Sequence, residues 1–169
     1  SAASDVYKRQ NIFYIDGSNM VVTVPREGAT PLNMNTGKID NAGIELEASY
    51  HINTSWHVSA NYSFLHMENP VIAAPEHKLY AEGLFTRGRW SVSSGVQYVA
   101  GLYTSVPTNG RGDYLTEDFV LWNMRATFRA AKFLSIWLRG ENLLSQRYEI
   151  NAGYPMPRAT VMGGIKFSF

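Results

Sequence analysis

The chain has 169 residues, a formal net charge of +1 and no cysteine. The near-neutral charge excludes the strongly basic surface of a nucleic-acid-binding domain, so we expect no nucleic acid among its partners. Although 45% of the residues are hydrophobic and 13% are aromatic, no stretch approaches the run of about 20 apolar residues that a transmembrane helix needs.

The first ten residues, SAASDVYKRQ, match in full the translation of a transposase sequencing adaptor, TCG GCA GCG TCA GAT GTG TAT AAG AGA CAG. We therefore expect residues 1–10 to be an artefact. The natural sequence is then expected to start at Asn11, inside a gene, so the lack of a signal peptide carries no information.

Apolar and polar residues alternate with a period of two along most of the remaining chain, which is the pattern of β-strands with one apolar face. A less regular first strand is expected at residues 11–24. The regular segments are residues 43–51, 56–64, 77–86, 90–102, 120–129, 134–141 and 158–169. Most of these roughly eight strands are near the 9–11 residues that a tilted strand needs to cross a bilayer.

The predicted connections alternate strictly between short and long. The short ones are at Ile52–Ser55, around Gly88 and at Ala130–Ala131. The long ones are at residues 25–40, 67–76, 103–117 and 145–157. Membrane barrels have short periplasmic turns and long extracellular loops. The sequence therefore predicts an all-β, antiparallel, meandering fragment of a transmembrane β-barrel, incomplete and unclosed, with the long loops outside the cell.

Four stretches carry a resemblance to a known family. They are NIFYIDGSN at residues 11–19, NAGIELEASY at 41–50, GENLLSQRYE at 140–149 and GYPMPRATVMGGIKFSF at 153–169. Together they resemble the carboxy-terminal part of a TonB-dependent outer-membrane receptor. The resemblance implies a barrel of about 22 strands with a plug domain in its lumen, of which residues 11–169 supply the last part without the plug.

The resemblance also implies a function and a location. Such receptors lie in the Gram-negative outer membrane and import a scarce extracellular ligand with energy delivered by TonB, which contacts the plug region missing here. The ligand is a small molecule or metal chelate, with a ferric siderophore favoured over cobalamin, haem or a carbohydrate. Outer-membrane lipid and the outer-membrane assembly machinery are further expected partners.

Several residues receive roles from this reading. Ile165, Phe167 and Phe169 resemble the terminal signal read by the assembly machinery, or else anchor the last strand in lipid. A set of polar residues is expected to face the lumen and to serve cross-strand pairing and plug docking: Glu45, Glu47, Arg125, Arg129, Arg139 and Glu141.

Ligand contacts are expected on the long loops, where charge and aromatic stacking could hold an anionic, aromatic or chelated ligand. The candidates are Tyr103, Arg111, Asp113, Tyr114, Arg147, Tyr148, Tyr154 and Arg158. The alternative is that these residues only stabilise solvated loops. The four histidines, His51, His57, His66 and His77, lack the spacing of a metal motif, so no metal site is predicted.

No nucleophile elbow, phosphate-binding glycine loop or zincin motif is present, so we expect neither catalysis nor a cofactor. Two alternatives to an import receptor remain open. A passive porin would share the strands and the terminal Phe, and a soluble β-sandwich binding module would share the alternation. An upstream plug domain would exclude the first, and aggregation in water without detergent would exclude the second.

Overall fold

The structure, a computed structural model, describes residues 6–26, 29–107 and 113–168. These residues form eight β-strands: β1 Val6–Arg26, β2 Ala29–His51, β3 Trp56–Met67, β4 Pro75–Arg87, β5 Trp90–Ser105, β6 Leu115–Ala131, β7 Leu134–Glu141 and β8 Thr160–Phe167. Within the described ranges, no helix is long and apolar enough to cross a membrane.

The strands form one antiparallel sheet in which each strand pairs with its neighbours in sequence, from β1 at one edge to β8 at the other. Among the described residues β1 and β8 share no contact. The prediction of an all-β, antiparallel and unclosed meander is therefore confirmed.

In this register, apolar residues mostly lie opposite apolar residues of the neighbouring strand and polar residues lie mostly opposite polar ones. The sheet therefore has two chemically different faces. One row across β2 to β6 consists of Leu46, Tyr62, Leu79, Tyr98 and Val120. We call the side that carries this row the apolar face. The opposite side, the polar face, carries a row made of Ser49, Ser59, Glu82, Gly95 and Asn123.

Two polar side chains on the apolar face have partners there. The Tyr62 hydroxyl lies 2.8 Å from Nδ1 of His77, and the Trp122 indole donates to the Ser94 hydroxyl over 2.9 Å. Because a polar group without a partner is costly in an apolar environment, these pairs lower the cost of placing polar atoms on this face.

The prediction of a long loop at residues 25–40 is wrong. There β1 continues to Arg26 and β2 begins at Ala29, with Val21 paired to Asn35 and Val24 to Leu32. Since β3 ends at Met67, opposite Asn41, the paired residues 16–26 and 29–40, which we call the β1–β2 ribbon, have no third strand beside them in the part of the chain that the structure describes. Neither side of the ribbon needs to be apolar, so the period-two signal is missing although the backbone pairs.

Other boundaries also differ from the predictions. The turn expected at Ala130–Ala131 lies at residues 132–133, because β6 continues to Ala131. The last two long connections are residues 106–114 and 142–159. The first strand begins at Val6 rather than Asn11, since backbone pairing with β2 extends whatever the side chains are.

A buried glycine on the polar face provides a test of this register. A Cβ atom at Gly43 would lie 2.8 Å from the carbonyl oxygen of Phe64 and would meet the ring of Phe13, whereas one at Gly83 would meet nothing within 4 Å. We expect Gly43→Val to destabilise the folded protein by about 1–3 kcal/mol through overpacking. Gly83→Val is the matched control and is expected to change the free energy of unfolding by less than about 0.5 kcal/mol. Chemical unfolding in detergent measures both, and equal effects would contradict the register.

Candidate functional site

The long connections at residues 68–74 and 142–159, together with the described ends of a third connection at residues 106–107 and 113–114, lie at one end of the sheet, which we call the long-loop rim. Backbone hydrogen bonds join the first two connections to the end of β5. The amide of Ala73 donates to the carbonyl of Tyr103 over 2.8 Å, and the amide of Ala152 donates to the carbonyl of Thr104 over 2.9 Å. The rim is therefore one connected surface.

A cluster of buried apolar side chains fixes the connection 142–159 to the polar face. Val99 and Leu102 of β5 pack with Phe119 and Leu121 of β6. The ring of Tyr148 covers this cluster, with its centroid 4.2 Å from that of Phe119. The last long connection thus folds inward over the sheet, because burying this cluster is favourable.

Asn142 anchors the same connection at its start. It is only 5% exposed and has a positive φ of 46°. Its side-chain amide donates to the carbonyls of Gln146 and Pro157 over 2.9 and 3.1 Å, and its side-chain oxygen accepts from the amide of Gln146. One side chain therefore joins both ends of the loop.

Carboxylates that the sequence analysis did not single out complete the rim. Glu117 accepts the amide of Glu149 over 3.0 Å, and Glu149 accepts that of Gly153. Asp118 accepts the amide of Gly101 over 2.7 Å, at a β-bulge where Gly101 has a φ of 63°. No motif marks these acids in the sequence, because their partners are backbone groups brought near by folding.

The structure brings two of the predicted ligand residues together on the first of the two candidate loops. Tyr103 donates its hydroxyl to Glu76 over 3.2 Å, and its ring lies 6.0 Å from that of Tyr114 in an edge-on arrangement. Tyr114 and Asp113 are exposed. Arg111 lies outside the described residues.

The candidates on the last loop separate into exposed and covered residues. Tyr154 is 74% exposed, and Arg147 and Arg158 are also exposed. Tyr148 instead packs its ring against Phe119. Three of these four side chains are therefore exposed, and the fourth holds the loop against the sheet.

All six residues expected to face the lumen lie on the polar face, and three of them are neighbours on β6 and β7. Arg139 forms an ion pair with Glu141 of its own strand. Arg125, the cross-strand partner of Arg139, lies with its guanidinium 5.4 Å from the centroid of the Trp137 ring. These contacts hold the two adjacent cations in a geometry that limits their repulsion.

The other three lie at different places on the same face. Glu45 and Glu47 line a recess of about 420 Å³ together with Asn61 and Lys78. Arg129 lines a notch at the opposite end from the long-loop rim, with Arg89 and Lys132.

The covered position of Tyr148 predicts a loss of loop order at high pH. Burial raises the pKa of the Tyr148 phenol above its usual 10.0, and the Glu141 carboxylate raises it further. The folded state then holds the phenol proton more tightly than the unfolded state. The stability that the protonated Tyr148 contributes is therefore present below about pH 10 and is lost as the pH rises through the pKa of Tyr148 in the folded state. The hydrogen-exchange protection factors of residues 142–159, which correct for the base-catalysed rise of intrinsic exchange, are expected to fall above about pH 10 in the natural sequence and not in Tyr148→Phe. The same fall in both proteins would assign it to another group.

The comparisons with known proteins agree with this architecture. Residues 11–143 match the family described as TonB dependent receptor-like, beta-barrel. No curated protein matches the sequence.

Solved structures share the fold at low sequence identity. The copper transporter OprC aligns with a TM-score of 0.78 and 18% identity over 97% of this chain and 29% of its own. The ferric-catecholate import receptor Fiu from K12 E. coli aligns with a TM-score of 0.69 and 19% identity, over 95% of this chain and 25% of its own.

The ferripyoverdine receptor of the outer membrane of Pseudomonas aeruginosa, bound to ferripyoverdine, aligns with a TM-score of 0.73 and 17% identity over 97% of this chain. The chain covers 25% of that structure, so it spans about a quarter of the length of the solved relatives. Since the family match extends over more than half of the sequence, the chain belongs to the β-barrel family of the TonB-dependent receptors.

Proposed function

We propose that this chain is part of the barrel wall of an outer-membrane receptor that takes up a scarce ligand with energy delivered through TonB. The observation that carries the proposal is the family match over residues 11–143. The sheet supports it because one face is apolar, as lipid requires, and the other is polar, as a water-filled lumen requires. Residues 11–169 are the receptor part of the chain, and the plug domain that contacts TonB lies upstream in the complete protein.

The favoured ligand is a metal chelate of the ferric siderophore type. Two of the named structures are receptors for ferric catecholate and ferripyoverdine, and the third is a copper transporter. The exposed Tyr114, Tyr154, Arg147 and Arg158 at the long-loop rim suit an anionic aromatic chelate, because aromatic rings stack and guanidinium groups pair with negative oxygens. Cobalamin, haem and carbohydrates are the rival ligands.

The apolar face is proposed to contact outer-membrane lipid. At the end opposite the long-loop rim, Trp56 packs on Phe85 and Trp90 on Phe128, with ring centroids 4.8 and 4.7 Å apart. Such aromatic pairs are typical of the interfacial girdle of membrane barrels. The assembly machinery is proposed to read the last strand, where Ile165 and Phe167 are exposed and Phe169 lies outside the described residues.

Residues 1–10 are proposed to be foreign to the natural protein. The family match begins at Asn11. Pairing of β1 with β2 puts Lys8 opposite Ala48 and Gln10 opposite Leu46, on the apolar face. A Lys on the lipid face of a barrel strand is destabilising, by about 2–4 kcal/mol at the bilayer midplane and by less towards the interfaces, so a natural strand would avoid it.

Recovery of the complete gene, followed by an uptake assay, tests the proposal. The full receptor is expressed in cells that lack their own siderophore receptors, and radiolabelled ferric siderophores of the catecholate and hydroxamate classes are supplied. Accumulation that requires functional TonB is the expected result. A gene without a plug domain, or ligand entry that is unchanged without TonB, would instead indicate a passive channel. The soluble β-sandwich is disfavoured because the described strands form a single sheet.

A further inference from the structure

Two histidines on the polar face form a cross-strand pair that no sequence motif announces. His51 ends β2 and lies directly opposite His57 of β3. Their ring centroids are 4.2 Å apart, with the rings inclined at 44°. The pair lies at the end of the sheet opposite the long-loop rim.

The turn between the two histidines is well held. The side-chain oxygen of Asn53 accepts the amides of Ser55 and Trp56 over 2.8 and 3.0 Å, and the amide of Ile52 donates to the carbonyl of Trp56 over 3.0 Å. The two rings are therefore supported by a short, hydrogen-bonded hairpin, which lowers the entropy lost when a ligand fixes them.

One ring nitrogen in this pair lacks a partner. Nδ1 of His57 is buried and makes no hydrogen bond with any residue that the structure describes. By contrast, Nδ1 of His77 is paired with the Tyr62 hydroxyl. A buried nitrogen without a partner is costly, and a neutral imidazole nitrogen is a good ligand for Cu²⁺, Ni²⁺ and Zn²⁺.

The spacing of the rings suits a shared metal ion. With metal–nitrogen bonds of about 2.0 Å and the angle of about 90° between adjacent positions of tetragonal Cu²⁺, two bound imidazoles have centroids roughly 4.5 Å apart. The observed 4.2 Å is close to that value. Within the described ranges no group of three His, Cys, Asp or Glu side chains could hold a metal. The remaining positions would therefore go to water or to an incoming ligand.

We propose that His51 and His57 together bind a divalent transition-metal ion, Cu²⁺ most tightly according to the Irving–Williams order. The binding itself needs only these two side chains. Its place on the transport route rests on the proposed function, because only in a closed barrel does the polar face line the lumen.

The test uses copper(II) nitrilotriacetate and the full-length receptor in detergent, because this chelate leaves two adjacent coordination positions free. We expect His51→Ala and His57→Ala each to lower the affinity by at least about tenfold, since a chelating pair fails when either half is removed. Electron paramagnetic resonance of the bound copper is expected to show two imidazole nitrogens. His66→Ala is the matched control, because His66 is exposed and lies opposite Ala42 rather than another His.

The proposal would be overturned if either His51→Ala or His57→Ala bound the probe as tightly as the natural receptor. It would also be overturned if the His66→Ala control lost as much affinity for the probe as these two variants. His51 is exposed, so His51→Ala is expected to fold. The test therefore remains decisive even if His57→Ala does not fold. TonB-dependent uptake is a separate readout. A receptor that imports its ligand but fails to bind the probe contradicts this proposal alone, and one that binds the probe without TonB-dependent uptake contradicts only the import function.

Discussion

Asn142→Ala is expected to destabilise the folded receptor by about 3 kcal/mol and to release the connection 142–159 from the polar face. The change removes three hydrogen bonds and leaves one amide and two carbonyls of a buried site without their partners. Each of these backbone groups costs about 1 kcal/mol or more when water replaces its partner only incompletely. The positive φ of 46° at this position adds a further cost of about 1 kcal/mol for Ala.

Two variants separate these causes. Asn142→Gly tolerates the positive φ but still lacks the side-chain bonds, so it is expected to recover only about 1 kcal/mol of the loss. Asn69→Ala is the control, because that Asn is exposed and makes one long hydrogen bond, 3.3 Å to the carbonyl of Lys38. Unfolding in detergent and protease sensitivity of residues 142–159 are the measurements. If Asn142→Ala leaves the free energy of unfolding unchanged, Asn142 does not anchor the connection 142–159.

Val96→Arg is expected to destabilise the receptor in lipid by about 2–4 kcal/mol, the cost of a cation on the lipid face near the bilayer midplane. Val96 lies on the apolar face between Ala81 and Trp122. It is six residues along β5 from Trp90 of the aromatic pair. Six residues span about 20 Å of strand. At a tilt of about 45° this is about 14 Å of depth, near the middle of a hydrocarbon layer of about 30 Å.

Gln97→Arg is the matched control, one residue away on the polar face, where Gln97 lies between Tyr80 and Leu121. An Arg there faces water, so we expect less than about 1 kcal/mol of change. Unfolding from phospholipid vesicles and the amount of receptor at the cell surface measure the difference. Equal effects of the two variants would contradict the assignment of the apolar face to lipid.

Much of the fold follows from local sequence. The period-two alternation at residues 43–51, 56–64 and 120–129 predicts strands that the structure contains, because each side chain of a strand meets a different environment from its neighbour. The same alternation predicts which side of the sheet carries Glu45 and which carries Leu46. The turns at residues 52–55 and around Gly88 are also where the sequence predicts them, and Gly88 has the positive φ of 62° that favours glycine.

Where the alternation stops, the sequence alone is a poor guide. Among the described residues, the β1–β2 ribbon has no third strand, so neither of its sides has to be apolar and its sequence carries no period-two pattern that would indicate a strand. Its pairing depends on backbone hydrogen bonds, which are nearly independent of side chains.

The tertiary structure alone decided the roles at the long-loop rim. The sequence presents Tyr148 and Tyr154 as equivalent aromatic loop residues, yet Phe119, far away in the chain, covers one ring and leaves the other exposed. His51 and His57 likewise become a pair only through the register of β2 and β3. Periodicity is a local property of a strand and is legible in the sequence, whereas contacts between distant residues depend on how the strands and loops pack together.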